Sequence, residues 1–177
     1  MTHWFETLDG LWVFGWRHLS GKAIKTVLST LATNGAPESR MVVIRSADRS
    51  SATVTVHTDN ATVKMQELAR DARASLHLWS ETDQLQLRLR GEMTILTGAL
   101  AAPHWPEIPD LSRSNYGVDP APGTVIATSD AYTRIAKPDR FAILTLTLSE
   151  LDIVHLSDDY HRRALYSRHS DWAGQWL

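Results

Sequence analysis

Between Gln84 and Leu96 apolar and polar side chains alternate through the whole segment. Leu85, Leu87, Leu89, Met93 and Ile95 stand against Gln84, Gln86, Arg88, Arg90, Glu92 and Thr94. A period of two is the repeat of a pleated strand, so this segment is a long strand with one apolar and one polar face. Thr26–Thr33 and Arg40–Ser46 are shorter β-type runs on either side of Asn34-Gly35-Ala36-Pro37, which reads as a hairpin. In Ala52–Thr58 the residues Ala52, Val54 and Val56 face one way, and Thr53, Thr55 and His57 the other. Ala74–Trp79, Phe141–His155 and His161–Ser167 complete about seven expected strands. A helix is expected from Thr2 to about Leu19, carried by Phe5, Leu8, Trp12 and Trp16. A second, capped by Asp59 or Asn60, runs to about Ala72 with Met65, Leu68, Ala69 and Ala72 on one face. Hairpin-rich order with few helices favours a mostly β chain with peripheral helices, an antiparallel barrel of six to seven strands rather than a doubly wound parallel sheet.

With 177 residues a single domain spanning 1–177 is expected. Its parts are an N-terminal helix at 1–20, a core at 25–97, an irregular excursion at 103–125 holding five of the seven prolines, and C-terminal strands at 140–177. The formal charge of −2 argues against phosphate-backbone binding, and no nucleic-acid partner is expected. The absence of cysteine excludes a disulfide framework, a thiolate metal site and a cysteine nucleophile. No apolar run reaches membrane-spanning length, and the N-terminus lacks the pattern of a signal peptide, so a cytoplasmic protein without membrane contact is expected. The eight histidines have poor ligand spacing, and no metal site is expected. GxGxxG after a strand, GxxxxGK[ST] and GxSxG are all missing. Several of the seven tryptophans sit near the chain ends, where large aromatics point to packing or a subunit interface.

The block from Pro37 to Gly91 carries the chemistry. Arg40 and Arg45 bracket an apolar strand, His57-Thr58-Asp59 closes the next, and Thr62 and Lys64 fall at the start of the following helix. A helix N-terminus offers free N–H groups and positive partial charge, so a hydroxyl and an ammonium there suit a phosphate. Arg40 supplies a planar fork that matches phosphate oxygens. Gln86, on the polar side of the long strand, can both donate and accept. Together they suit a phosphorylated heteroaromatic; on spacing alone the alternative, solvated surface charges and an outward glutamine, stays open.

Pro37-Glu38-Ser39-Arg40-Met41-Val42-Val43-Ile44-Arg45 resembles the P-x-x-R-x-V-x-[LF]-[KR] segment of the pyridoxamine 5′-phosphate oxidase-like flavoproteins. His57-Thr58-Asp59-Asn60-Ala61-Thr62-Val63-Lys64 is similar to that family's [YF]-T-[DN]-x-x-S-x-K, and Gln86-Leu87-Arg88-Leu89-Arg90-Gly91 to its Q-[IVL]-R-[VIL]-x-G. Order, spacing and strand context agree over about residues 25–97, with a looser match to Trp176. The nearest subgroup is the oxidase-related FMN-binding proteins.

The resemblance implies a split β-barrel homodimer with FMN at the subunit interface. By position Arg40, Thr62 and Lys64 hold the phosphate, while the Val42, Val43 and Ile44 backbone and His57-Thr58 line the ribityl chain and ring. Gln86 meets the pyrimidine edge. Arg162-Arg163-Ala164-Leu165-Tyr166 resembles D-R-[FL]-x-[YF], whose arginine reaches the flavin from the partner subunit, which assigns Arg163 to that role. Arg45 is also assigned to the cofactor site, and Arg45 and His161 are weaker candidates for substrate contact; His57 and His161 are of the type that can titrate near neutrality, a structural role for each being the alternative. Alanine at Arg40 and Lys64 is expected to abolish flavin retention without unfolding. Several positions depart from the family. Ala61 and Val63 stand where relatives often carry an arginine, and Asp159-Tyr160-His161 replaces the oxidase's Arg-x-His. His155 and Leu156 lie where its tryptophan is expected, and Ser112–Gly117 only faintly resembles its substrate-contacting helix. The expected function is an FMN-dependent oxidoreductase acting on a small molecule. A true pyridoxamine or pyridoxine 5′-phosphate oxidase, or a non-catalytic flavin- or haem-binding barrel, are the alternatives.

Overall fold

The alternating segment becomes the strand on which a barrel closes. In the computed structural model, which describes residues 5–21 and 23–177, the chain runs through α1 (Leu8–Leu19), β1 (Ile24–Leu31), β2 (Pro37–Asp48), β3 (Thr53–Asp59), α2 (Val63–Arg70), β4 (Arg73–Ser80) and β5 (Leu85–Thr97). It continues through α3 (Asp110–Arg113), β6 (Val118–Asp119), β7 (Thr133–Arg134), β8 (Phe141–His155), β9 (Arg162–Ser167) and β10 (Gly174–Trp176). The main sheet has the order β10-β9-β8-β3-β2-β1-β4-β5, and β5 pairs back onto β8. Six antiparallel strands thus form a closed barrel, the split-barrel fold, and β9 and β10 extend it beyond β8. All seven expected strands are present. The two-residue β6 and β7 and the short β10 were not legible as strands.

Asn34-Gly35 makes the expected turn: Leu31 pairs with Pro37, and Gly35 takes φ +85, which only glycine adopts without strain. Leu85, Leu87, Leu89 and Met93 point into the barrel, with Leu28, Ile44, Val54, Val56 and Leu76 facing them. β8 reverses its phase half-way. Leu144, Leu146 and Leu148 are buried, then Leu151 and Ile153, because Arg90 pairs with Glu150 while Gly91 pairs with Leu148. Ser149 is the extra residue of a bulge that keeps both halves of β8 facing the core. At that bulge the strands approach so closely that a Cβ on Gly91 would lie 2.0 Å from the Thr147 carbonyl oxygen. Gly91→Ala is therefore expected to destabilise the fold by about 3 kcal/mol, the upper end for overpacking. A fall in urea midpoint at unchanged slope is the check; an unshifted midpoint would show that the sheet relaxes at no cost.

α1 starts later than expected, with Thr7 as its cap: the Thr7 hydroxyl oxygen accepts from the Gly10 N–H at 3.0 Å. Residues 2–4 of the expected helix lie outside the described residues. Leu11, Trp16 and Leu19 are buried, and Trp12 packs against Tyr166 and Trp172, so these aromatics serve packing within the chain. α2 differs from expectation at both ends. Its cap position is Thr62, it ends at Arg70 before Ala72, and Ala69 is exposed while Glu67 is buried. Asp59 does not cap it; that carboxylate accepts from the N–H groups of Ala61 and Gly117 at 2.8 Å and from Arg140 Nε at 2.8 Å. It thereby ties the excursion to the start of α2. The excursion is wider than its prolines suggested. It covers 98–140, contains α3 and the β6–β7 pair, and rests on a second apolar cluster of Ala101, Ile108, Tyr116, Phe141 and Ile143. No described helix is long and apolar enough to cross a membrane.

Candidate functional site

β2 and β3 pair only from Ile44↔Val56 to Asp48↔Thr53. Beyond Ile44, β2 continues to Pro37 beside β1 alone, and β3 continues to Asp59 beside β8 alone. Their facing edges part, and α2 starts in the fork. Backbone groups of Val42 and Val43 on this edge meet no neighbouring strand. Arg45 is the unmatched residue where the register shifts between Ile44 and Ser46, a bulge that re-aims its side chain beside Tyr116 and His57.

Lys64 lies inside the fork. Its ammonium donates to the hydroxyl oxygens of Thr58 and Thr62, each at 2.9 Å, while the Thr62 hydroxyl donates onward to the Asp59 carbonyl at 2.7 Å. Burial, and then the nearby Arg40 guanidinium, lower the Lys64 pKa to about 8; Asp59 and Glu67 only partly offset this. Among the described residues no carboxylate bonds to that ammonium. Arg40 is placed differently from expectation. Its guanidinium donates to Glu67 Oε2 at 2.7 Å and to the Thr30 hydroxyl, and Thr30 donates to the same carboxylate at 2.6 Å. The Glu67 side chain is only 3% exposed, so Arg40 is half of a buried ion pair before any ligand arrives. The expectation that Arg40→Ala leaves folding intact is therefore corrected: the change strands a buried carboxylate.

His57 packs edge-on to Phe141 at 5.0 Å, and its Nδ1 is buried without a hydrogen-bond partner. Burial, then the positive charges of Arg45 and His104, hold its pKa at about 4. The expectation that it titrates near neutrality is corrected: it is a neutral imidazole there. Burial pushes the Asp59 carboxyl up, but the hydrogen bonds from Ala61, Arg140 and Gly117 outweigh it and keep the group below its ordinary range.

Gln86 and Arg163 form a separate group on the outer face of the barrel. Trp79, Gln86, Val154 and Arg163 stand opposite one another in a single row across β4, β5, β8 and β9. The Gln86 amide has no hydrogen-bond partner among the described residues. Arg163 instead grips Asp152, from Nε to Oδ1 at 3.1 Å and from its second terminal nitrogen to Oδ2 at 2.8 Å. His161 is exposed and lines a cleft of about 430 Å³ with Phe5, Tyr160, Arg162, Arg163 and Trp176. Beside it the Asp159 carboxylate accepts from Ser157 and from the Tyr160 N–H at 2.8 Å, which holds its pKa below the ordinary range. Sequence reasoning missed Glu67 and Asp152. The partners that bury them, Arg40 for the first and Arg88 and Arg163 for the second, stand on other elements, which no local pattern reveals.

Residues 3–97 match the pyridoxamine 5′-phosphate oxidase, FMN-binding domain. The chain belongs to that family. The match takes in the Arg40, His57–Lys64 and Gln86 segments, whereas Asp152, His161 and Arg163 lie beyond it. A pyridoxamine 5′-phosphate oxidase-related, FMN binding protein from Nostoc punctiforme has a similar structure, with TM-score 0.74 and 19% identity over 100% of this chain and 98% of that one. PhzG from Burkholderia lata, solved with tetrahydrophenazine-1-carboxylic acid, gives TM-score 0.72 and 19% identity over 96% of this chain and 89% of that one. A Clostridium acetobutylicum protein related to general stress protein 26 gives 0.63 and 14% over 93% and 98%. At these identities the likeness is one of fold. Among curated proteins none matches the sequence.

The fork of this oxidase-family chain fits the phosphate end of FMN. A desolvated ammonium held by two hydroxyl oxygens, to which no carboxylate bonds among the described residues, suits a phosphate, and a strand edge without a strand partner offers N–H and C=O groups beside it.

Proposed function

We propose that the chain binds FMN as a homodimer and carries out flavin redox chemistry on a small molecule in the cytoplasm. The observation that carries this reading is the Lys64 ammonium, withdrawn from water against Thr58 and Thr62 with no carboxylate bonded to it. A phosphate monoester supplies the missing charge and acceptor oxygens. In this reading Lys64, Thr62 and the outward edge of Arg40 hold the phosphate. The Val42–Ile44 edge and His57-Thr58 line the ribityl chain and ring, and Gln86, together with Arg163 of a second copy, meets the pyrimidine edge. Arg45 and His161 face the substrate. FMN supplies hydride or electron transfer when bound, and the protein binds it, orients it and sets the charge around it.

The substrate is not pyridoxamine or pyridoxine phosphate. Asp159, ionised and exposed, stands where the oxidase grips that ester with an arginine, and a carboxylate there repels it. The purified protein is expected to be yellow, to release FMN identified by mass at one per chain, and to elute as a dimer. It is expected to consume no oxygen with pyridoxine phosphate. A colourless preparation that takes up no added FMN would overturn the flavin reading, and a monomer carrying full FMN would overturn the dimer.

A further inference from the structure

Asp152 is an acid in the middle of β8, between Leu151 and Ile153, on the row Arg88–Asp152–Leu165 of the outer face. It is 1% exposed. A buried carboxylate is unfavourable unless several donors meet it, and here they do. Arg163 holds both oxygens in a planar fork, and Arg88 donates to Oδ2, the oxygen that Arg163 also uses. Arg90 turns mainly to Glu150 at 2.8 Å, with Asp152 at 3.9 Å. Two guanidinium groups on one carboxylate leave an excess of positive charge on this face. Both keep an exposed edge, with side-chain exposures of 36% for Arg88 and 42% for Arg163. The shared oxygen also fixes the two planes relative to each other.

We propose that Asp152 is a positioning residue: its buried carboxylate sets Arg163 and Arg88 in the orientation that meets the pyrimidine edge of the FMN held by the neighbouring subunit. This rests on the flavin-dimer reading above. An ordered cation at that edge stabilises the anionic reduced ring more than the neutral oxidised one. Asp152 therefore acts on both flavin affinity and reduction potential, through the arginines and without touching the flavin.

The test measures the FMN dissociation constant and midpoint potential of the full-length protein and of Asp152→Asn. The variant keeps the shape but turns an amide N–H₂ toward the guanidinium groups. Its dissociation constant is expected to rise about tenfold, the loss of one charge-assisted contact, and its potential to shift from the wild-type value. In an Arg88→Ala/Arg163→Ala background the same substitution is expected to change affinity less than about twofold, because the carboxylate acts through these two arginines. Arg163→Lys keeps the charge, loses the planar fork and leaves Asp152 paired, so it covers the case in which Asp152→Asn fails to fold. It too is expected to weaken FMN and shift the potential. Unchanged affinity and potential in Asp152→Asn or Arg163→Lys, or an undiminished Asp152→Asn effect in the background lacking both arginines, would overturn the proposal while the wild-type protein still binds FMN. Failure of the wild-type protein itself to bind FMN would instead strike the flavin reading.

Discussion

Arg40→Ala is expected to cost about 3–5 kcal/mol of folding stability, the range for removing one partner of a buried ion pair. The loss does not come from surface charge. Arg40 and Thr30 are the two groups bonded to the Glu67 carboxylate, which is 3% exposed, and Thr30 alone cannot offset its charge. In the variant the buried Glu67 carboxylate keeps the Thr30 hydroxyl as its donor and loses its cation. The double variant Arg40→Met/Glu67→Leu should regain most of the loss, since apolar replacement of a buried pair is often neutral or stabilising. Urea unfolding of the three proteins is the measurement. A loss below about 1 kcal/mol for Arg40→Ala, the scale of an exposed pair, would show that Glu67 finds another donor and that Arg40 is free for phosphate alone.

This changes what Arg40 contributes to a bound phosphate. With its charge already matched by Glu67, it offers oriented N–H groups more than net positive charge. Lys64 is then a cation inside the fork to which, among the described residues, no carboxylate bonds. Ala61 and Val63, where relatives often carry an arginine, leave that role to it.

The barrel was legible because its strands obey one rule. Apolar side chains at every second position of β3 and β5 can only face a common core, and Asn34-Gly35 gives the turn its backbone geometry. The phase break in β8 was not read from the sequence, where Phe141–His155 stood as one long β-type run; the bulge at Ser149 sets Leu148 and Leu151 three apart on the same face. Periodicity could not reveal which polar groups the fold would bury. The helix period set Ala69 on the apolar face with Met65, Leu68 and Ala72 and left Glu67 off it; Glu67 is buried instead because Arg40, distant in sequence, reaches the carboxylate across β1. Asp59 likewise looked like a cap, since cap rules are local, but Gly117 and Arg140 compete for it from the other end of the excursion. The motifs placed Arg40, His57 and Lys64 near one another without saying what each already binds.

Lys64→Met is expected to separate binding from stability. Removing the ammonium should weaken FMN by about 10–100-fold, the worth of a charge-assisted bond to phosphate. The apo protein should lose no stability and is expected to gain some, because a desolvated cation without a bonded carboxylate is replaced by an apolar chain of similar length. That combination distinguishes a residue held for a ligand from one held for the fold, and it is the reverse of Arg40→Ala in the apo protein. The pH dependence follows from the same group. With its pKa lowered to about 8, Lys64 in the free protein loses its proton as pH rises through that value. A phosphate dianion beside it raises the pKa, so binding above pH 8 must take up a proton, and affinity falls by up to about tenfold per pH unit until the bound-state pKa is reached. In Lys64→Met the FMN affinity should be flat across the same range. Isothermal titration of both proteins at pH 7, 8 and 9, in buffers of different ionisation enthalpy, reads affinity and proton uptake together. Wild-type affinity constant from pH 7 to 9 with no proton taken up would mean that this ammonium does not meet the phosphate.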